Sequence, residues 1–513
     1  MPESSISTVG NGTEPRVSLT EAERALWAAY PTGELVDLIG EPNHVDSPDL
    51  SPVPVVRAEV LAQLLLGACP ARPGCVPAVR LRGARVTGRL DVSGGAVGCE
   101  LRLERCILEQ PPKFANASTR QIRFADCMLP GFDGGGLRCD GYLSFSGCTI
   151  AGMLKLPRAQ ILGGFRLNHV HISNPDDPRD WAVFTGGLVV DAGTFIRESE
   201  IIGGLRLTGA RLSGGLFLEG TTLRSTVRLA MDAQNIVVTD AMECSGTYSR
   251  SGAFIPFLCE GRIRLRGARI KGTLSFNRAV LRSGDPDRLA LGLGFLQADE
   301  LNLWTHEKIE GGVLLSYSDV GVIHDSPASW PDQLFLNGLT YRSLRGAHPR
   351  ARLGWVGRDK EFHLDPYEQL ADWYRRSGQE HLVREAQLAK LRARRSVNGR
   401  IARIPGQLLD WGVGYGYRPW RAAWWFALAL AAGTIVYSLV PPGPTKFPQD
   451  QPHYNAFGYT LDLLMPIPLF GQRDHWNPAG WTQWFSYALI ASGWILVTAL
   501  IAGATRVLRP DKG

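Results

Sequence analysis

Two histidines, His169 and His171, stand two positions apart in the stretch LNHVHI. Side chains at this spacing point to the same side of a β-strand, so the pair could hold a divalent cation through its imidazole nitrogens. A pair of histidines that simply point outward from a solvated strand face is commoner than a pair that binds a metal. The sequence therefore predicts no metal site.

The other patterns that could carry enzyme chemistry are incomplete. A dinucleotide site needs three glycines between a strand and a helix, and Gly292-Leu-Gly294-Phe-Leu-Gln lacks the third. Carbohydrate cleavage needs paired carboxylates, and no acidic cluster with alternating spacing occurs. We predict no catalytic and no cofactor-binding residues, and an enzyme is not the favoured class.

The nine cysteines include no CxxC motif and form an odd number, which favours neither a disulfide framework nor a zinc site. Cys99, Cys106, Cys127 and Cys148 recur where alanine or another small residue stands in a repeated pattern. We interpret them as compact apolar residues stacked inside a repeat.

The segment Gly412–Gly416 reads GVGYG, close to the TVGYG loop whose carbonyl oxygens line potassium-selective filters. Such a filter lies between two membrane-spanning helices. Two uncharged apolar segments, residues 422–440 and 484–502, have the length of spans, and both follow GVGYG. We therefore interpret GVGYG as a bend that leads into the membrane.

The charges around the two segments predict their orientation. Seven arginines lie between residues 392 and 421, and Arg506, Arg509 and Lys512 follow the second segment. The loop between the segments offers only Lys446 and Arg473. By the positive-inside rule, the sequence predicts a multi-pass protein of the cell membrane with both termini in the cytoplasm. The N-terminus shows no secretory signal, which agrees with this orientation.

The loop itself contains an apolar stretch, Ala456 to Trp476, interrupted by Pro466 and Pro468. It could be re-entrant, which would favour a subunit of a channel or transporter. We favour a half-buried interfacial helix on the outer surface. In the first segment Ala423, Ala427 and Ala431 share one helix face, and this stripe predicts close packing against the second span or against another copy of the chain.

Residues 76–345 contain a repeated unit: a small residue, any residue, an apolar residue, any residue and a second small residue. Examples are Ala84-Arg-Val86-Thr-Gly88 and Ala210-Arg-Leu212-Ser-Gly214. Alternating apolar pairs such as Phe165 and Leu167 separate the units, which predicts short strands with one buried face. Ala84, Cys106, Cys127 and Cys148 recur every 21 or 22 residues. We predict a mainly β protein, a parallel β-helix (solenoid) with about 21–22 residues per coil.

Helical patterns flank the predicted coils. Residues 1–16 are expected to be disordered, and residues 17–75 to form a helical cap on the open end of the β-helix. Residues 360–400 predict a basic helical hairpin that resembles one tetratricopeptide unit, a fold used for protein contacts, and its arginines could rest on anionic lipid. Residues 401–513 complete the chain as a two-span anchor.

The motifs GARVTG, GARLSG and GARIKG resemble those of pentapeptide-repeat and related β-helix proteins, in particular a family of membrane-anchored β-helical proteins from actinobacteria. Some members of that family carry the label "membrane-associated oxidoreductase". The resemblance implies a membrane-anchored solenoid. We expect a scaffold or sensor whose partners are the lipid bilayer and other proteins, with a possible homo-oligomer. The formal net charge of +6 is mild, and no nucleic acid partner is expected.

Overall fold

The computed structural model describes residues 18–39, 53–174, 181–285, 287–359, 361–397, 419–444, 453–467 and 469–508. The predicted disordered segment 1–16 and the GVGYG segment lie outside these residues. The chain forms two compact units, Met1–Gln369 and Leu370–Gly513.

The first unit is mainly β. Its first strands are β1 (Val36–Asp37), β2 (Val55–Arg57), β3 (Ala78–Arg82), β4 (Arg85–Thr87), β5 (Ala96–Glu104), β6 (Ile107–Leu108), β7 (Ser118–Ala125), β8 (Met128–Leu129), β9 (Phe132–Asp133), β10 (Arg138–Cys139), β11 (Leu143–Ser146), β12 (Thr149–Ala151) and β13 (Leu154–Lys155). Next come β14 (Gln160–Ile161), β15 (Phe165–Asn168), β16 (His171–Ser173), β17 (Val183–Phe184), β18 (Val189–Val190), β19 (Thr194–Phe195), β20 (Glu200–Ile202), β21 (Leu205–Arg206), β22 (Arg211–Leu212), β23 (Leu216–Phe217), β24 (Thr222–Asp232), β25 (Val237–Val238) and β26 (Met242–Glu243). The last are β27 (Thr247–Tyr248), β28 (Phe254–Ile255), β29 (Leu258–Arg264), β30 (Arg269–Ser275), β31 (Val280–Arg282), β32 (Leu289–Gly292), β33 (Gln297–Leu303), β34 (Gly312–Leu314), β35 (Asp319–Asp325), β36 (Leu334–Phe335) and β37 (Thr340–Gly346).

These strands form two long parallel sheets, of 18 and 17 strands, and one short antiparallel pair, β27 with β28. Leu143 pairs with Phe165, 22 positions later, and Met128 pairs with Thr149, 21 positions later. Four short strands such as β10 to β13 complete one turn, two in each sheet. The arrangement is compatible with the predicted β-helix and its 21–22-residue coil.

Each strand buries alternate side chains, as the sequence pattern predicts. In β15, Phe165 and Leu167 are buried while Arg166 is exposed. Aromatic rings stack from coil to coil inside the unit: the ring centroids of Phe124 and Phe145 are 5.1 Å apart, with planes inclined by 7°. The apolar faces of successive coils thus join into one core.

The corners between strands use left-handed backbone. In the GAR motifs the glycine takes this conformation, with φ of 77° at Gly83, 66° at Gly209 and 68° at Gly267. The following alanine is buried at the start of the next strand. Larger residues such as Asp126 (φ 53°) and Phe295 (φ 60°) take the same conformation at other corners. The repeated unit therefore begins with the left-handed residue, which precedes the first small residue of the sequence pattern.

We expect Gly209→Ala to lower the free energy of unfolding by about 1 to 2 kcal/mol, because a Cβ strains left-handed backbone. An added Cβ at Gly209 would meet no atom within 4 Å, so the backbone alone decides the effect. Gly98 offers the matched control. A Cβ added there would also meet no atom within 4 Å, but its φ is not in the left-handed range. Chemical denaturation should show a loss for Gly209→Ala and none for Gly98→Ala. Equal effects at both sites would contradict the argument.

The N-terminal end of the coils is covered by two helices, α1 (Glu21–Ala29) and α2 (Ala58–Leu65). The side chain of Glu23 is fully buried and forms an ion pair of 2.6 Å with Arg57. Burial alone would raise the pKa of Glu23, but hydrogen bonds from Arg57 and from the Thr20 amide outweigh it and lower the pKa to about 2. This part of the chain also adds strands, because β1 pairs with β3 and β2 pairs with β4.

The C-terminal end of the coils is closed by a short helix, α3 (Arg352–Val356). Arg352 is fully buried and lies 2.7 Å from the carboxylate of Asp325 in β35. The indole nitrogen of Trp330 also donates to Asp325, at 3.0 Å, and the Arg352 guanidinium lies 5.5 Å from the ring centroid of Trp355. The sequence patterns did not predict this cap.

Helices make up most of the second unit, which begins within α4 (Asp365–Arg376). They continue as α5 (Glu380–Val397), α6 (Pro419–Leu439), α7 (Ala456–Leu464), α8 (Gln472–His475) and α9 (Trp481–Leu508), with a short antiparallel pair of β38 (Gly443–Pro444) and β39 (Trp476–Asn477). The predicted apolar positions Leu370, Tyr374, Leu382 and Ala386 are buried, and Gly378 turns the chain between α4 and α5 with φ of 70°.

Helix α7 contacts both α6 and α9. Glycines allow the close approach, because a Cβ added at Gly433 would overlap the Thr460 side chain and one added at Gly493 would overlap the Leu464 carbonyl. Tyr459 and Leu464 are consequently almost fully buried. Helix α7 is therefore packed against α6 and α9, and the interpretation of this stretch as a half-buried interfacial helix stays a prediction.

Two other predictions about this unit concern the alanine stripe and the membrane spans. Ala423, Ala427 and Ala431 are exposed on α6, so they do not pack against α9; the buried face of α6 instead presents Gly433 and Tyr437. Within the described part of the chain, no helix has both the length and the apolar character needed to cross a membrane. The predicted spans 422–440 and 484–502 are thus not confirmed.

Candidate functional site

The four predicted small-position cysteines are buried, which confirms their interpretation as core residues. Cys106, Cys127 and Cys148 lie at one corner of successive coils, and the Cys127 sulfur accepts the Cys106 amide at 3.5 Å. The neighbouring thiols of Cys106 and Cys148, together with burial, raise the pKa of the Cys127 thiol well above its usual range. Cys127 is therefore a protonated packing group with little reactivity.

The two histidines do not share a strand. His171 begins β16, whereas His169 takes the left-handed corner before it, with φ of 55°. Both are outward and solvated: the Nδ1 atom of His171 lies 3.1 Å from Glu200, and that of His169 lies 3.7 Å from Glu198. No group of three potential metal ligands occurs among the described residues.

Gly292 and Gly294 do not lie between a strand and a helix, as a nucleotide-binding motif requires. Gly292 ends β32, and the chain then passes through a turn at Gly294 and Phe295 directly into β33. A dinucleotide fingerprint requires a helix N-terminus at this point to receive the pyrophosphate. The incomplete motif belongs to an ordinary corner of a coil.

A cleft of about 970 Å³ opens at another corner of the first unit. In β29 a single residue, Gly261, separates Glu260 from Arg262. In β24 four residues separate their pairing partners, Arg224 and Leu229. On the other side a longer segment joins β31 to β32. The short corner at Gly261 thus lies between two longer corners, and the space left beside it is the cleft.

Gly261 makes the short corner possible. Its φ of 127° is rare for other residues, and a Cβ there would lie 2.7 Å from the Ser225 carbonyl. Trp181, Leu229 and Leu289 supply apolar walls of the cleft. Any larger residue at 261 would both strain the backbone and press against the preceding coil.

Four arginines line the cleft, and three of them form ion pairs. Arg264 lies 2.8 Å from Asp232, Arg282 lies 3.0 Å from Glu307, and Arg288 lies 3.2 Å from Asp285. The fourth, Arg262, has no ion pair with a described carboxylate, and its buried Nε atom has no hydrogen-bond partner there. Sequence reasoning missed this set, because its members come from several coils and only the corner lengths bring them together.

The second unit has an apolar exterior. Large side chains of α6 and α9 are exposed, including Trp424 and Leu428 on α6 and Trp484, Trp494 and Ile495 on α9. The exposed fractions reach 71% for Trp424 and 75% for Trp484. Water-soluble proteins seldom expose apolar surface of this extent without a partner.

The interior of the same unit combines an apolar core around Tyr459 and Leu464 with a few hydrogen-bonded polar groups. Asp462 is fully buried and accepts the backbone amides of Leu469 at 2.7 Å, Phe470 at 2.9 Å and Gln472 at 2.7 Å. The buried Tyr437 hydroxyl donates to the Thr482 carbonyl at 3.1 Å. The exterior of α6 and α9 is therefore apolar, whereas the few polar groups buried inside are hydrogen-bonded.

The fold and site define a protein with parallel coiled sheets, an arginine-lined cleft and an apolar-surfaced helical unit. Comparisons of the chain with protein-family models, with curated proteins and with solved structures found no match.

Proposed function

We propose that the protein is a membrane-attached β-helix that acts as a scaffold or sensor at the cytoplasmic face of the cell membrane. The observation that carries the proposal is the apolar exterior of α6 and α9. Hydrocarbon chains of lipids are suitable partners for Trp424, Leu428 and Ile495, since they require no hydrogen bonds. The proposal includes multi-pass attachment by these helices, with both termini in the cytoplasm.

The hydrogen bonds inside the second unit support the same proposal. Hydroxyl groups on the helices donate to carbonyls one turn earlier, as Thr434 does to Leu430 at 2.7 Å and Thr498 does to Trp494 at 2.6 Å. Every polar group satisfied in this way can face lipid at low cost. Water-facing helices have no comparable need.

A second surface, on the coils, supports the scaffold role. Arg166 lies 5.3 Å from the Tyr142 ring centroid and 5.9 Å from that of Phe195, and Arg197 lies 4.8 Å from the same Phe195 ring. Phe217 extends the series by stacking on Phe195, with ring centroids 5.2 Å apart. Protein interfaces are enriched in arginine and aromatic residues. Another protein is the partner that we propose for this surface.

Replacing Leu428 and Ile495 together by glutamate should release the protein from membranes. Each charge placed in hydrocarbon costs about 2 to 3 kcal/mol, so we expect the membrane-bound fraction to fall at least about tenfold. Flotation of the full chain with liposomes in 1 M NaCl would measure this fraction, because high salt removes purely electrostatic attachment. The unmodified chain should float.

The matched control is the double variant Ile107→Glu and Met128→Glu. Both residues are exposed apolar side chains on the coils, at 40% and 54% exposure, and they lie outside the second unit. This variant should float like the unmodified chain. A chain that leaves the liposomes in salt without any substitution would contradict the proposal, as would a Leu428→Glu and Ile495→Glu variant that still floats.

Two rival functions have less support. A channel or transporter would need free polar groups along a path, but both carboxylate oxygens of Asp462 are engaged by backbone amides. An oxidoreductase would need a cofactor site, and the Gly292 to Gly294 segment lacks the required helix. Self-association through Ala423, Ala427 and Ala431 stays a prediction, since these residues are exposed on α6.

A further inference from the structure

The cleft at Gly261 contains an arginine, Arg262, that forms no ion pair with any carboxylate in the described part of the chain. Arg262 is partly buried, and burial, followed by the nearby charge of Arg264, lowers the pKa of the Arg262 guanidinium, while the charge of Asp232 offsets only part of this effect. Burial and the charge of Arg264 both disfavour the positive charge. A bound anion would offset both.

The acidic residues around the cleft do not supply that anion. Glu260 lies 3.0 Å from Arg224, and Asp285 lies 3.2 Å from Arg288. Glu310 is exposed and forms no ion pair with a described residue. No described carboxylate therefore forms an ion pair with Arg262, and its charge is available to a ligand.

The backbone at Gly292 lies directly against the guanidinium of Arg262. Arg264 of β29 pairs with Gly292 of β32, and a Cβ added at Gly292 would lie 2.9 Å from Nη2 of Arg262 and 3.4 Å from its Nε. The glycine thus provides the space in which the Arg262 side chain lies. A methyl group at 292 would displace the guanidinium without removing its charge.

We propose that the cleft binds a small organic anion whose carboxylate or phosphate group contacts Arg262. A guanidinium presents paired N–H donors that match the oxygens of either group. The apolar walls formed by Trp181, Leu229 and Leu289 suit the organic part of such a molecule, and the volume of about 970 Å³ accommodates it. The inference does not depend on membrane attachment, because the cleft lies within the first unit.

Calorimetric titration of the purified full chain with phenyl phosphate and with benzoate would test the proposal. Benzyl alcohol, which has the same ring without a charge, is the control ligand. We expect both anions to bind and the alcohol not to bind. If neither anion binds, or if the alcohol binds equally well, the proposal is wrong.

Arg262→Gln should weaken binding of the anions about 10- to 100-fold, because it removes charge-assisted hydrogen bonds. Arg211→Gln is the matched control, since Arg211 is an exposed arginine of β22 with no ion pair among the described residues, and it should bind as the unmodified chain does. Unchanged affinity in Arg262→Gln would overturn the proposal.

Gly292→Ala gives a second test that keeps every charge. Displacement of the Arg262 guanidinium should weaken binding at least about threefold while the thermal unfolding transition is retained. Unchanged affinity in Gly292→Ala would contradict the role of Arg262, even if Arg262→Gln failed to fold.

A short-chain phosphatidylglycerol below its micelle concentration identifies the source of the anion. Tighter binding than that of phenyl phosphate would support the proposed site with a lipid headgroup as its ligand. Weaker binding would support it with a soluble metabolite as its ligand.

Discussion

Arg352→Met should lower the free energy of unfolding of the first unit by about 3 to 5 kcal/mol, the usual cost of leaving one charge of a buried ion pair unpaired. Asp325 would lose its partner at 2.7 Å while staying almost fully buried. Trp330 and Trp355 flank the guanidinium, so tryptophan fluorescence during urea unfolding reports on the change. The denaturation midpoint should fall clearly.

Arg350→Met is the control for this prediction, since Arg350 lies two residues earlier and is exposed. It should change stability by less than about 0.5 kcal/mol. Removing both charges, with Asp325→Leu and Arg352→Met together, should recover part of the loss, because no unpaired charge then stays buried. Similar effects of Arg350→Met and Arg352→Met would show that the ion pair does not hold the cap.

Asp462→Ala should destabilise the second unit by about 3 to 5 kcal/mol. Three backbone amides would lose a charged acceptor, and each such hydrogen bond contributes about 1.5 to 3 kcal/mol, although their effects do not simply add. Thermal unfolding of the full chain in detergent, followed by circular dichroism of the helices, would measure the loss.

Asp462→Asn should cost less than Asp462→Ala. The amide oxygen of asparagine can still accept the amides of Leu469 and Phe470, whereas its NH₂ group would face the Gln472 amide. Asp474→Ala is the control, because Asp474 is an exposed acid in α8 close to the same segment. If Asp474→Ala and Asp462→Ala were equally destabilising, the hydrogen bonds of Asp462 would not explain the effect.

The sequence was sufficient to predict short, one-sided strands that pair at a spacing of 21 or 22 residues, because this signal is local and repeated. Alternation of apolar residues, as at Phe165 and Leu167, specifies which side of each strand is buried. Small residues every 21 or 22 positions, such as Cys106, Cys127 and Cys148, specify the coil length. Both signals come from packing that every coil must satisfy, so they recur.

Other features depend on contacts between distant residues and give no such signal. Asp325 and Arg352 are 27 positions apart and look like ordinary surface charges in the sequence. The left-handed corners at Phe295 and Tyr317 carry residues that rarely adopt this conformation, so propensity alone could not identify them. The packing of α7 against α6 and α9 gives no such signal either, because the sequence does not reveal that Gly433 and Gly493 allow its close approach.

The cleft was hidden for a different reason. Arg262 is one arginine among many, and its isolation becomes visible only when the ion pairs of Arg264, Arg282 and Arg288 are known. The cavity also depends on the difference in corner length between β29 and its neighbours. The sequence contains the longer corners, but it does not show that they lie next to the short corner at Gly261.

The uneven corner lengths also bear on how such a chain can change over generations. Arg224 still pairs with Glu260, and Leu229 still pairs with Arg262, although four residues separate one side and only Gly261 separates the other. An insertion at a corner is therefore absorbed locally, and the strands on both sides keep their partners. Selection can vary the mouth and walls of the cleft one coil at a time, while the stacked core that supports it keeps its register.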